Sequence, residues 1–197
     1  MTSFVLATAN PDKAAEIKSI LGGVGSIELL ERPTSVGEVA ETGSTLLENA
    51  RLKAQAVSAA TGLAAIADDT GLEVDALGGG PGVHSSRFAG PQASYADNVA
   101  KLLRELQGKE GALARRARFR TVAVAAWPDG REVVAEGEVS GTIAMGPHGD
   151  GGFGYDPVFV PDEGDGRTFA EMGPAEKNGM SHRGRAFKAL GEQLRAG

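Results

Sequence analysis

Apolar and polar positions change their spacing along the chain, and the changes separate strands from helices. Leu63 to Ala67 is an uninterrupted apolar run, the pattern of a strand covered on both faces, and Gly62 before it closes a preceding helix. The run stops at Asp68-Asp69-Thr70-Gly71, so the sequence predicts a buried strand with two carboxylates at its carboxyl end. In open α/β sheets that edge is where ligands bind. Earlier, Ser3 to Thr8 reads as a strand that turns at once into a helix reaching Leu21, with Asn10 as N-cap, Pro11 as first helical residue and Gly22-Gly23 as terminator. A strand at Ile27 to Leu30 and a polar loop, Val36 to Thr42, precede a second helix from Thr45 to Thr61. Thr45 and Glu48 stand at capping-box spacing there, Leu46, Leu47, Ala50, Ala54 and Val57 form an apolar stripe, and Asn49 and Lys53 share one face.

Beyond Gly71 the apolar positions Leu72, Val74 and Ala76 alternate, and Gly78 to Gly82 opens a loop toward His84 to Gly90. Ser94 caps a third helix, Tyr95 to Gln107. Pro128-Asp129-Gly130 joins Arg118 to Trp127 and Arg131 to Met145 as a long hairpin, with Arg118 and Arg120 on a solvated strand face and Trp127 in packing. A glycine-rich stretch, Gly146 to Tyr155, leads through Phe153-Gly154-Tyr155-Asp156-Pro157 into a short strand, and Thr168 to Met172 reads as another. Lys177, Ser181, His182, Arg183 and Arg185 gather before a last helix whose core face carries Phe187, Leu190 and Leu194. Strands alternating with helices predict an α/β fold.

The 197 residues with 41% apolar content suit one globular domain, large enough to bury a core, with room for two lobes. A formal charge of −6 argues against a nucleic-acid-binding surface, which would be basic, so an anionic ligand needs a local basic cluster. Zero cysteines remove thiolate chemistry and disulfides. Met1 to Leu6 lacks the pattern of a signal peptide and no run reaches membrane-spanning length; the expectation is a soluble, cytoplasmic protein.

The candidate chemistry lies where these elements end. Adjacent Asp68 and Asp69 repel each other unless a cation or proton lies between them, and hard oxygen donors suit magnesium; the same pair equally caps a turn with Thr70 and Gly71. Thr8, Ala9, Asn10, Pro11, Asp12 and Lys13 form a helix N-terminus that attracts phosphate, or simply a capped helix, without the glycines of a Walker or dinucleotide loop. Lys53 taken alone is an ordinary solvated lysine. The glycine-aromatic loop suits a flat ligand, or a loop with buried rings. His182 and Arg183 at a helix start run against the dipole preference, which makes an anion or a carbonyl a sensible partner.

Together, Thr8-x-Asn10-x-x-Lys13, Glu41-Thr42-Gly43 with Glu48-Asn49-Ala50 and Lys53, Ala67 to Gly71, Phe153 to Pro157, Lys177 and Ser181-His182-Arg183 resemble the inosine triphosphate pyrophosphatase family of noncanonical purine nucleotide hydrolases. The likeness covers nearly the whole chain and treats residues 1–197 as one domain. It implies an elongated mixed β-sheet flanked by helices, two lobes with the active site in the cleft between them, and a homodimer. It implies magnesium-dependent hydrolysis of ITP, dITP or XTP to the monophosphate and pyrophosphate. By the same resemblance Thr8 to Lys13 and Lys53 hold the triphosphate, Asp69 is proton acceptor and metal ligand, and Glu41 and Asp68 assist the metal. Thr70 contacts substrate, Phe153, Gly154, Tyr155 and Asp156 line the base pocket, and Lys177, His182 and Arg183 complete it. Thr70 stands where serine is frequent, and His84 and Ser86 where tyrosine and alanine are usual.

Other readings are a pyrophosphatase of modified pyrimidine nucleotides, a nucleotide-sensing module without catalysis, and an interaction protein. The first does not call for Ser181-His182-Arg183. The second has no need of Glu41, Asp68 and Asp69, and the third leaves the lysines and the glycine-aromatic loop without a reason.

Overall fold

The computed structural model describes residues 2–22 and 27–196. Its elements run β1 (Thr2–Leu6), α1 (Pro11–Leu21), β2 (Ile27–Leu30), α2 (Leu46–Thr61), β3 (Ala64–Val74), β4 (Pro81–Gly82), α3 (Tyr95–Glu105), β5 (Arg116–Ala126), β6 (Glu132–Ile143), β7 (Phe159–Pro161), α4 (Pro174–Met180) and α5 (His182–Ala196). The fold is mixed α/β. One seven-stranded sheet has the order β2-β1-β3-β5-β6-β7, with β4 on β3. β1 runs parallel to β2 and β3, whereas β4 is antiparallel to β3 and β7 to β6.

Local sequence explains the helix ends. Asn10 Oδ1 accepts from the backbone N–H groups of Asp12 and Lys13, and Pro11 supplies a fixed φ where no N–H is needed. Thr45 and Glu48 close a reciprocal capping box on α2, which ends at Gly62 in the left-handed conformation, φ 68°. Ser94 and Asp97 do the same for α3. Gly22 caps α1 as expected, while Gly23 lies outside the described residues.

The chain folds into two compact units, Met1–Asp69 with Thr121–Gly137 and His182–Gly197, and Thr70–Arg120 with Glu138–Ser181. In the first, β1 and β3 are in register as Phe4↔Ala64 and Leu6↔Ile66, and these side chains pack with Ile17 and Leu21 of α1 and Phe187 and Leu190 of α5. Burying side chains of this size contributes about 1.5–3 kcal/mol each. Trp127 packs edge-on against Phe4, centroids 5.4 Å apart, as the sequence predicts. In the second, Leu72, Leu102, Phe119, Phe159 and Phe169 form a core in which the Phe119 and Phe159 rings are 4.7 Å apart. Arg118 and Arg120 both pair with Glu73, so they form an ion-paired strand face.

Two expectations are corrected, and one helix is added. β3 does not end at the aspartates: it continues to Val74, because Leu72 and Glu73 pair with Gly82 and Pro81. Asp68 and Asp69 instead lie just past the last β1 partner, Ile66, at the carboxyl edge of the parallel part of the sheet. Thr168 to Met172 is a 3-10 turn over Phe169–Glu171, closed by a Thr168–Glu171 capping box that competes with extended backbone. Lys177 sits on a helix, α4, started by Pro174.

Candidate active site

Strand alternation sorts the two aspartates. Asp68 shares a face of β3 with Ala64 and Ile66, toward α1 and α5; Asp69 shares the other with Ala65 and Ala67. Both are buried.

On the first face Lys13 Nζ is 3.2 Å from Asp68 Oδ2, and the Nε and Nη2 atoms of Arg183 donate to the same oxygen at 3.4 and 3.3 Å. Arg183 Nη1 donates to Glu16 Oε2 at 2.6 Å. Burial opposes ionisation of Asp68, but Lys13, Arg183 and Lys53 outweigh it and hold its carboxyl well below the usual range. Lys13 is lowered, by burial above all, against the pull of Asp68. Arg183, expected at a base, therefore has its guanidinium directed at two carboxylates, and His182 beside it is buried at the start of α5.

On the second face Lys53 Nζ donates to Asp69 Oδ1 at 3.1 Å and to Glu41 Oε1 at 2.8 Å. Asn49, one turn earlier on α2, donates from Nδ2 to Asp69 Oδ2 at 3.3 Å and accepts from the Gly43 N–H at 2.8 Å. Lys53 is 8% exposed, so it is not a solvated lysine. Burial works against its charge, and Asp69, Asp68 and Glu41 more than reverse that, raising its pKa. Asp69 is raised, chiefly by burial and further by Glu41, against Lys53 and Lys13. A carboxylate with raised proton affinity, aimed by Lys53 and Asn49, is suited to accept a proton.

The turn before α1 is self-capped. Asn10 Oδ1 takes two of the backbone donors expected to meet phosphate, and Thr8 Oγ1 accepts from the Asn10 N–H at 3.1 Å. Positive charge at this helix start comes from Lys13. Ala9, Pro11 and Asp12 are exposed on the same turn. A cleft of about 270 Å³ adjoins Thr8 and Ala9 on the β2 side of β1, lined also by Ala14, Arg32 and Pro33; its lining contains neither aspartate.

The second unit carries its own cluster. Lys177, 4% exposed, pairs with Asp156, whose Oδ2 also accepts from the Phe153 N–H at 2.8 Å. A side chain at Gly152 would collide with that carboxylate, its Cβ 2.1 Å from Oδ2. Tyr155 donates its hydroxyl to Ser85 O at 2.8 Å, and burial pushes its phenol pKa up. Gly154 lies between Phe153 and Tyr155, and Thr70 is the first residue of this unit, directly after Asp69.

Among the described residues no group of three His, Cys, Asp or Glu could by itself hold a metal ion. Glu41 and Asp69 nevertheless converge on one cation, the Lys53 ammonium, and hard oxygen donors of this kind suit magnesium when phosphate and water complete the shell. Asp68 is turned to Lys13 and Arg183.

Sequence reasoning gave Glu16 no pairing role, left Gly43 as part of a motif without a partner, and did not single out Gly137. Glu16 lies one turn after Lys13, the signal that could have found it. Gly137 lies against α5: a Cβ there would stand 2.1 Å from His182 O. No local pattern announces that approach.

Residues 4–193 match the model of the Ham1 family. A dITP/XTP pyrophosphatase of Thermus thermophilus is 49% identical over 195 residues, covering 98% of this chain and 92% of the relative. One from Symbiobacterium thermophilum is 48% identical over 192 residues, 98% of this chain and 94% of the relative. Among solved structures, a HAM1 protein from Coxiella burnetii superposes with a TM-score of 0.89 at 39% identity over 100% of both chains. The Ham1 protein of Staphylococcus aureus gives 0.86 at 38% identity over 99% of each.

Proposed function

We propose that this chain, which belongs to the Ham1 family, is a pyrophosphohydrolase of noncanonical purine nucleoside triphosphates, converting ITP, dITP and XTP to the monophosphate and pyrophosphate. The names of its relatives support the substrate class. The observation that carries the chemistry is Asp69, buried with a raised pKa, held by Lys53 at 3.1 Å and Asn49 at 3.3 Å, with Glu41 across the same lysine.

In this reading Asp69 takes the proton of the water that attacks the α-phosphorus, and pyrophosphate leaves. Lys13 and Lys53 exchange part of their pairing with Asp68, Asp69 and Glu41 for phosphate oxygens, and Thr8 to Asp12 present the rest of the turn. Glu41 and Asp69 would hold a divalent cation, which offsets triphosphate charge when bound, while Asp68, on the other face of β3, would assist by setting Lys13. Asp68 and Glu16 hold Arg183, and Asp68 fixes Lys13 at the helix start.

Thr70, Phe153, Gly154, Tyr155, Asp156 and Lys177, with His182 and Arg183, are assigned to the substrate and its base. Hypoxanthine and xanthine carry an oxygen at position 6 where adenine has an amino group, so a buried ammonium such as Lys177 rewards the oxygen; guanine shares that oxygen and is to be refused through its 2-amino group. Unpaired buried polar groups give selectivity on the order of ten-thousandfold. A homodimer in the cytoplasm, acting on the free nucleotide pool, belongs to the same proposal. No helix among the described residues is long and apolar enough to cross a membrane.

The test is pyrophosphate release from ITP, dITP, XTP, ATP and GTP with and without magnesium. Magnesium-dependent release from the first three alone is expected. Release from all five would discard the specificity, and nucleotide binding without release would replace the enzyme by a sensing module.

A further inference from the structure

The second unit contains an aromatic contact to which no function is yet assigned. Tyr95, the first residue of α3, remains 42% exposed, and its ring leans on Phe153 with centroids 5.8 Å apart and planes at 41°. Phe153 stands between two glycines of positive φ, Gly152 at 65° and Gly154 at 63°. Neither glycine has a side chain that could pack on the ring. The Phe153 N–H is fixed by Asp156, and Lys177 Nζ lies 4.9 Å from the ring centroid. An ammonium holds an aromatic face without selecting its tilt, because its charge is compact and nearly isotropic. A second ring does select tilt.

The position of Tyr95 is itself fixed. Ser94 closes a capping box on α3, Asn98 accepts from Ala89 N–H at 2.7 Å and donates to Ser86 O at 3.1 Å, and Lys101 donates to Phe88 O at 2.8 Å. The Tyr155 hydroxyl donates to the same loop at Ser85 O, 2.8 Å. The loop at residues 84–90 thus ties α3 to the turn that carries Phe153.

We infer that Tyr95 is a positioning residue for purine recognition: its ring, held by α3, braces Phe153 in the orientation that meets a flat base. The inference rests on the assignment of Phe153 to the base end of a purine nucleotide. Ordering one aromatic side chain in advance is worth about 2- to 12-fold in affinity. The benefit falls on base-containing ligands alone.

The experiment compares wild type, Tyr95→Ala, Tyr95→Leu and Tyr95→Phe for hydrolysis of ITP, and for inhibition by IMP and by inorganic pyrophosphate, which has no base. The alanine and leucine variants should raise the KM for ITP and the inhibition constant of IMP by about 2- to 12-fold. Their kcat and their inhibition by pyrophosphate should match wild type, and Tyr95→Phe should restore the wild-type values. Unchanged KM and IMP inhibition in both variants would overturn the inference, as would an equal weakening of pyrophosphate or failure of phenylalanine to rescue. Wild-type enzyme inert toward ITP, dITP and XTP would instead remove the functional reading itself, and the inference with it.

Discussion

Asp68 and Asp69 are neighbours in one strand that face opposite ways, Asp68 to Lys13 at 3.2 Å and Asp69 to Lys53 at 3.1 Å. The alternation of the strand separates two adjacent acids by setting each against its own lysine. The alternation also divides their work: one is held ionised by three cations and the other is left with raised proton affinity.

Replacing Asp69 by asparagine removes the proposed proton acceptor and keeps its shape. Turnover of ITP should fall by about a hundredfold to ten-thousandfold. A melting curve beside the kinetics would separate the lost chemistry from the lost Lys53 pairing. Near-normal kcat in this variant would sink the assignment.

Asp68→Asn should act on stability. It strips Lys13 and Arg183 of a buried counter-charge, leaving Arg183 with Glu16. Removing one partner of a buried ion pair costs about 3–5 kcal/mol. Urea unfolding would read the loss; a variant as stable as wild type would show that the pairing contributes little.

Asn49 orients Asp69 and anchors Gly43, whose N–H it accepts at 2.8 Å. Asn49→Ala should lower kcat/KM on the order of tenfold, and Asn49→Asp, which sets a like charge beside Asp69, by more. Equal activity in the aspartate variant and wild type would argue against an orienting role.

Gly137→Ala tests the seat of α5. The added Cβ would lie 2.1 Å from His182 O and 2.5 Å from Ala186 N, so the helix start must shift and carry Arg183 with it. Overpacking of this kind costs about 1–3 kcal/mol. A displacement near 1 Å lowers turnover by up to roughly a hundredfold. Steady-state kinetics beside a melting curve would separate the two effects.

Arg115 offers the opposite case, stability without chemistry. Its buried guanidinium donates to the carbonyls of Leu106, Lys109, Ile143 and Ala144, joining the end of α3 to the end of β6. Arg115→Met leaves those carbonyls without their donor, a loss of about 1–3 kcal/mol for each that stays dry. Denaturant midpoints should fall while kcat per folded molecule is unchanged.

What the sequence determined by itself is what depends on neighbours in the chain. Asn10, Thr45, Glu48, Ser94 and Gly62 cap their helices because capping is decided within four residues. Asn49 and Lys53 share a face because helical spacing puts them there, and that face turned out to be the one that meets Asp69. Tertiary structure decided the rest. β3 continues beyond Asp69 because its pairing with β4 exists only in the folded sheet, and Lys53 is buried because Glu41 and Asp69 are there to receive it. Arg183 finds Glu16 and Asp68 across 167 and 115 positions of chain, and Gly137 finds the start of α5 across 45. No periodicity encodes such meetings, because burial gives a partner its value only once both groups have left water.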